Sequence, residues 1–88
     1  MSDHHFQIGH QRWLWRYSPL KGANAGWTEW AKRKVLIHSR LKGRTRLETE
    51  IHEGLHAALG STISEGAVTQ AAGDIAKILW SLGYRIQK

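Results

Sequence analysis

The chain has no cysteine among its 88 residues. Disulfides are therefore excluded, and any zinc site must be built from histidine and carboxylate. That rules out the thiolate-rich structural zinc knuckles and leans toward the ligand sets of catalytic sites. No apolar run approaches the roughly 20 residues of a membrane-spanning helix. The opening Met1-Ser2-Asp3-His4-His5-Phe6 lacks the basic-then-apolar order of a signal peptide. A cytoplasmic protein without a membrane partner is expected. Internal repeats and low-complexity tracts are also missing. Acidic residues are scarce in the first half. Residues 1–47 hold ten Lys and Arg against Asp3 and Glu29, a net +8, whereas residues 48–88 carry −2. A basic half of this kind can attract nucleic acid or an acidic protein, although a solvated basic face needs no partner at all.

The length implies a single domain, 1–88, with a modest core. A metal held only by the folded state would add its binding free energy to folding. Residues 1–10 read as a flexible lead-in, so His4, His5 and His10 are not taken as ligands. Gln11–Leu20 alternates Trp13, Trp15 and Tyr17 with Arg12, Leu14 and Arg16, which predicts a strand with one covered aromatic face. The only proline, Pro19, ends it. Lys21–Gly26 reads as a loop, and Trp27–Ala31 as a short strand or extended approach. Lys34–Arg40 reads as a strand with Val35 and Ile37 on one face and Leu36 and His38 on the other.

Leu41–Arg44 is a turn pivoting on Gly43. Thr45-Arg46-Leu47-Glu48 has the form of a capping box, which predicts a helix from Arg46. Its apolar stripe is Leu47, Ile51, Leu55, Ala58 and Leu59, and Gly60 stops it. Thr62-Ile63-Ser64-Glu65 offers a second capping box, with Ser64 as the alternative cap. The following helix runs from about Ser64 to Leu82 along Val68, Ala72, Ile75, Leu79 and Leu82, and Gly83 ends it. Two helices joined by about four residues pack antiparallel. The expected fold class is α+β: a small antiparallel sheet of two or three strands, then an antiparallel helix hairpin.

The first helix carries His52-Glu53-Gly54-Leu55-His56, the pattern His-Glu-x-x-His. Histidines four apart present two ring nitrogens on one helical face, as zinc requires. His56 lies about 40° round from His52 and Glu53 about 100°. Glu53 is thus offset from the ligand pair and placed to take a proton from a water on the metal. A hydrolytic zinc needs a third protein ligand. Thr62 and Leu59 stand where a metzincin would have its third histidine and its glycine, so that class is excluded. Glu65 and Asp74 remain. In an antiparallel hairpin Glu65 lies opposite His56 and fits first. Asp74 is the reserve, expected half-buried as a ligand or as an acceptor orienting an imidazole.

These residues carry a resemblance. The chain resembles a minimal gluzincin-type zincin metallopeptidase. Glu65-Gly-Ala-Val-Thr-Gln-Ala-Ala is similar to the helix that follows His-Glu-x-x-His in ImmA/IrrE-like peptidases. Leu47–Ala57 and Asp74–Trp80 resemble segments of small phage and bacterial His-Glu-x-x-His proteins. The resemblance covers roughly residues 34–84. It implies His52 and His56 as zinc ligands, Glu53 as general base, Glu65 as third ligand and a peptide or protein as substrate. It also implies that Lys34–Ser39 lines the substrate cleft, with His38 or Tyr84 as candidates to stabilise the oxyanion. Trp80 reads as a packing or surface residue. The alternative to a peptidase is a metal-stabilised, non-catalytic module that uses its basic half to bind nucleic acid or an acidic protein.

Overall fold

A computed structural model describes residues 2–85. The fold is α+β, a four-stranded mixed sheet followed by two helices. The strands are β1 (Ser2–Ile8), β2 (Gln11–Ser18), β3 (Gly26–Glu29) and β4 (Lys34–His38), in spatial order β1-β2-β4-β3. The helices are α1 (Gly43–Leu59) and α2 (Glu65–Ser81), joined by a 3₁₀ turn at Gly60–Thr62. Among the described residues no helix is long and apolar enough to cross a membrane.

The sheet departs from the sequence expectation in its first strand and in its direction, and it decides between two readings of Trp27–Ala31. First, the supposed flexible lead-in is strand β1, apart from Met1, which lies outside the described residues, and the turn at Gly9 and His10. It pairs antiparallel with β2 along its whole length, from Ser2↔Tyr17 to Ile8↔Gln11. Its own sequence is too polar to signal burial. What holds it is the Trp-rich neighbour and a bidentate pair in which Arg16 donates to Asp3 at 2.8 and 2.9 Å across the register. Gly9, with φ 65°, opens the two-residue turn, the conformation that hairpins of this length favour at that position. Second, Trp27–Ala31 resolves into β3, which joins β4 through a turn closed by Arg33 N–H donating to the Trp30 carbonyl at 3.1 Å. Third, the sheet is not purely antiparallel. Because β3 and β4 form a hairpin with β3 at the edge, β4 returns beside β2 and parallel to it.

The alternation read from β2 and β4 holds. Trp13, Val35 and Ile37 are buried on one face, with Trp15 and Tyr17 partly buried beside them. β2 ends at Ser18, immediately before Pro19. This face meets α1, and Ala57 completes the cluster. Removing a Val or Ile side chain from water contributes roughly 1.5–3 kcal/mol each, so these few residues carry much of the fold.

Helix α1 starts earlier than the predicted capping box allows. Lys42 is its N-cap, with no side-chain cap bond, and Gly43 takes φ 62° where the chain turns in. Thr45 is inside the helix, its carbonyl accepting from Thr49 Oγ1 at 2.9 Å. The buried face differs too. Leu47, Ile51 and Leu55 are only half-buried, and Ala58 and Leu59 are exposed, whereas the fully buried residues are Glu53 and Ala57. The arc of α1 that touches the sheet is Arg46, Glu50, Glu53, Gly54 and Ala57. Gly60 ends the helix and Ser64 caps α2, its Oγ accepting from Ala67 N–H at 3.1 Å. The two helices run antiparallel: Gly43 lies against Trp80, Glu48 against Gly73, and His52 and His56 against Glu65. Helix α2 buries Val68, Ala72 and Ala76 against α1 and has no comparable contact with the sheet.

A polar knot joins sheet to helix at the far end from Ala57. Tyr17 donates its hydroxyl to Glu50 and accepts from Trp15 Nε1 at 3.2 Å, while the Arg46 guanidinium lies 4.2 Å over the Tyr17 ring. Burial, and then the Glu50 carboxylate, push the Tyr17 phenol above its ordinary value of 10. A raised folded value means that this contribution to stability is present below pH 10 and is lost as pH rises through the folded value. Tyr17→Phe should cost about 1–3 kcal/mol at pH 7, since Glu50 loses its donor. The wild-type advantage over Tyr17→Phe should shrink between pH 9 and 11, measured by urea denaturation at both ends.

Candidate metal centre

The His-Glu-x-x-His turn lies in the C-terminal half of α1, on the side left open between the sheet and α2. His52 and His56 stand one turn apart with their Nε2 atoms 3.2 Å from each other. Helix α2 begins at Glu65, and its carboxylate reaches both rings. Oε1 is 3.0 Å from His52 Nε2, and Oε2 is 2.7 Å from His56 Nε2. Among the described residues, these three form the one group whose donor atoms all lie within 4.8 Å of one another. The hairpin connection sets this up. Gly60, the 3₁₀ turn and the Ser64 cap return the chain so that the first residue of α2 faces the last two turns of α1.

The three contacts suit a small divalent cation. Donors about 2.0–2.1 Å from a tetrahedral zinc stand about 3.3 Å apart, and the observed separations of 2.7–3.2 Å are close to or just inside that. The imidazoles are mostly shielded, with side chains 22% and 14% exposed, while Glu65 is 68% exposed. The cluster therefore has a protein-covered back and a wet front, as an open coordination position requires.

Glu53 points the other way round the helix, against the sheet. It is 8% exposed. Thr28 on β3 donates its hydroxyl to Glu53 Oε1 at 2.6 Å, with the Glu53 carbonyl oxygen 3.2 Å away as a second acceptor. Gly26 allows this approach, because a Cβ there would stand 2.8 Å from Glu53 Cγ and 3.0 Å from Oε2. Glu53 nevertheless borders the same opening as the cluster, a cavity of about 430 Å³ between α1 and the β3 edge that His52, His56 and Glu65 also line. On the β3 side this cavity is bounded by Trp27 and Trp30. Trp30 Nε1 donates to the His56 carbonyl at 3.0 Å, and its ring meets the His56 imidazole edge-on with centroids 6.0 Å apart.

Sequence reading found the cluster and missed its support. Gly26 closes the stretch expected to be a loop but opens β3, Thr28 and Trp30 sit in the stretch that read as a short strand or an extended approach, and nothing local marks the three as neighbours of residues 53 and 56. The strand lining the cavity is β3, not the expected Lys34–Ser39. β4 is enclosed between β2 and β3, with Val35 and Ile37 fully buried. Asp74 does not reach the cluster. It is exposed, beside Lys77 and Ile78 on the outer side of α2. His38 accepts from Arg40 N–H at 3.1 Å at the end of β4, and Tyr84 lies near Trp80 at the other end of the helix pair. Neither lines the cavity. His4 packs on Phe6 and Tyr17.

Comparison of the chain with protein-family models, curated protein sequences and solved structures gave no match.

The close approach at Gly26 has a measurable consequence. Gly26→Ala should destabilise the protein by about 1–3 kcal/mol, because the methyl must displace Glu53 and Thr49. Gly66→Ala is the control. It lies in α2 with nothing within 4 Å of the added carbon, and should be neutral or stabilise by up to about 1 kcal/mol. Thermal and urea unfolding of the pair check the contrast.

Proposed function

We propose that this protein is a zinc-dependent peptidase in which His52, His56 and Glu65 hold the metal and Glu53 is the general base. The observation that carries the reading is the convergence of three ligand atoms on one point, with Glu53 bordering the same cavity. Zinc bound there would lower the pKa of a water from 15.7 to about 7 and polarise the scissile carbonyl. Glu53 is the residue that would accept a proton at its carboxylate and pass it to the leaving amine. Thr28 holds one oxygen of Glu53, so the carboxylate keeps a single orientation for the transfer. Trp30 fixes the backbone of His56 and so the aim of its ring. Strand β3 is at the sheet edge, and an extended peptide can add to it through main-chain hydrogen bonds. That brings the substrate backbone past the cluster and makes a peptide or protein segment the substrate class.

Purified protein should carry about one zinc per chain by elemental analysis. His52→Ala or His56→Ala should abolish it, and Asp74→Asn should leave it unchanged. Chelation should lower the melting temperature by about 10 °C or more relative to protein in zinc at a hundredfold excess over Kd. Glu53→Gln should retain the metal and lose at least about 10²-fold in turnover of an unstructured protein substrate. Stability indifferent to chelator, with no metal found, would remove the metal centre. Metal retention with turnover unchanged in Glu53→Gln would remove the mechanism and leave the non-catalytic binding module.

A further inference from the structure

One mostly apolar opening lies away from the histidines. A cavity of about 580 Å³ lies where β4 runs into α1 and α2 ends. Its walls are mostly apolar: Leu41, Leu47, Trp80 and Tyr84 line it. Lys42 and Arg85 stand at its margin, and no acidic residue lines it. Arg46 also borders it but turns inward to Glu50 and Tyr17. Lys42 belongs to a run of alternating cations with Arg40 and Arg44, its neighbours in the chain, all exposed. Among the described residues none of the three forms a salt bridge. The first turn of α1 has no acidic residue and no side-chain cap, which adds the positive end of the helix dipole to this field. This groove and the histidine cleft share no lining residue, so they are separate places.

We propose that this groove binds an acidic peptide segment of a partner protein, with one large apolar side chain seated between Leu41, Leu47, Trp80 and Tyr84 and flanking carboxylates paired with Lys42, Arg44 and Arg40. Charge complementarity selects the occupant, because the rim offers cations without counter-charges. The form of the floor selects a peptide over single-stranded nucleic acid. Base stacking needs open aromatic faces, and one face of Trp80 is already covered by the Arg85 guanidinium, 3.4 Å from the ring centroid. That guanidinium is held in place by donating to the Trp80 and Tyr84 carbonyls, both at 2.9 Å. What remains is a pocket with aliphatic and aromatic walls, suited to a side chain. This site stands whether or not the histidine cluster holds zinc. If the protein is a peptidase, the groove gives it a second hold on an acidic substrate.

The test is fluorescence anisotropy of full-length protein with a labelled Asp-Glu-Phe-Glu-Asp peptide, paired with amide and indole NMR. Binding is expected, weakening as salt rises. Replacing the Phe by Ala in the peptide should weaken it about tenfold. The double variant Lys42→Glu, Arg44→Glu changes only exposed side chains and should weaken it at least about tenfold. Of the five indole signals, that of Trp80 should shift on titration while those of Trp27 and Trp30 stay. Substitution of His52 or His56 by Ala should leave the affinity unchanged. Equal binding of a Lys-Arg-Phe-Arg-Lys peptide, tighter binding of a single-stranded thymidine oligonucleotide, or shifts confined to Trp27 and Trp30 would each overturn the proposal.

Discussion

Helix α1 can lie close against the sheet because small residues stand at the contact. Gly26 admits Glu53, and Ala57 closes onto the core. This closeness has a cost. The sheet-facing arc of the helix includes Arg46, Glu50 and Glu53, polar groups that must find partners once water is removed. The two carboxylates do so on the sheet, while Arg46 Nε, buried without a hydrogen bond, has the Glu50 charge 3.5 Å away. Glu53 meets Thr28, Glu50 meets Tyr17, and Arg46 lies over the Tyr17 ring beside Glu50. The result is a helix whose orientation is set by specific polar pairings as well as by apolar area.

That orientation distributes the chemistry around α1. One side faces the sheet, the opposite side faces α2, and the edge between them carries His52 and His56. Glu65 then reaches across from the first turn of α2. Among the described residues α2 is tied to the rest of the chain mainly through α1. The contacts at Glu65 and at Gly43–Trp80 therefore fix the two ends of the helix pair. A cation among the three donors would lock one of those ends, which couples the proposed chemistry to the stability of a small domain.

The charge asymmetry of the chain also has a spatial reading. Several cations of the basic half are used internally: Arg16 pairs with Asp3, Arg46 with Glu50, and Lys32 approaches Glu29. The run from Arg40 to Arg44, without a salt bridge among the described residues, stands at one end of α1, next to an apolar groove. The wet front of the histidine cluster lies further along the same helix. One helix thus presents two different surfaces with no lining residue in common.

The sequence by itself determined the local features. The His-Glu-x-x-His spacing placed two imidazoles on one face, the alternation of Val35 and Ile37 marked the buried face of β4, and Gly60 and Ser64 set the helix hairpin. From that hairpin Glu65 followed as the residue opposite His56. These are short-range consequences of helical and strand periods, so they could be read from spacing. Tertiary structure decided the rest. β1 is a strand only because β2 offers it a partner, and β4 is parallel to β2 only because β3 occupies the edge. Asp74 is exposed because α2 turns that side away from α1. Glu53 is buried rather than free because Gly26, 27 residues earlier, brings β3 against it. Such pairings depend on which surfaces meet in space, and no local period in the chain encodes that.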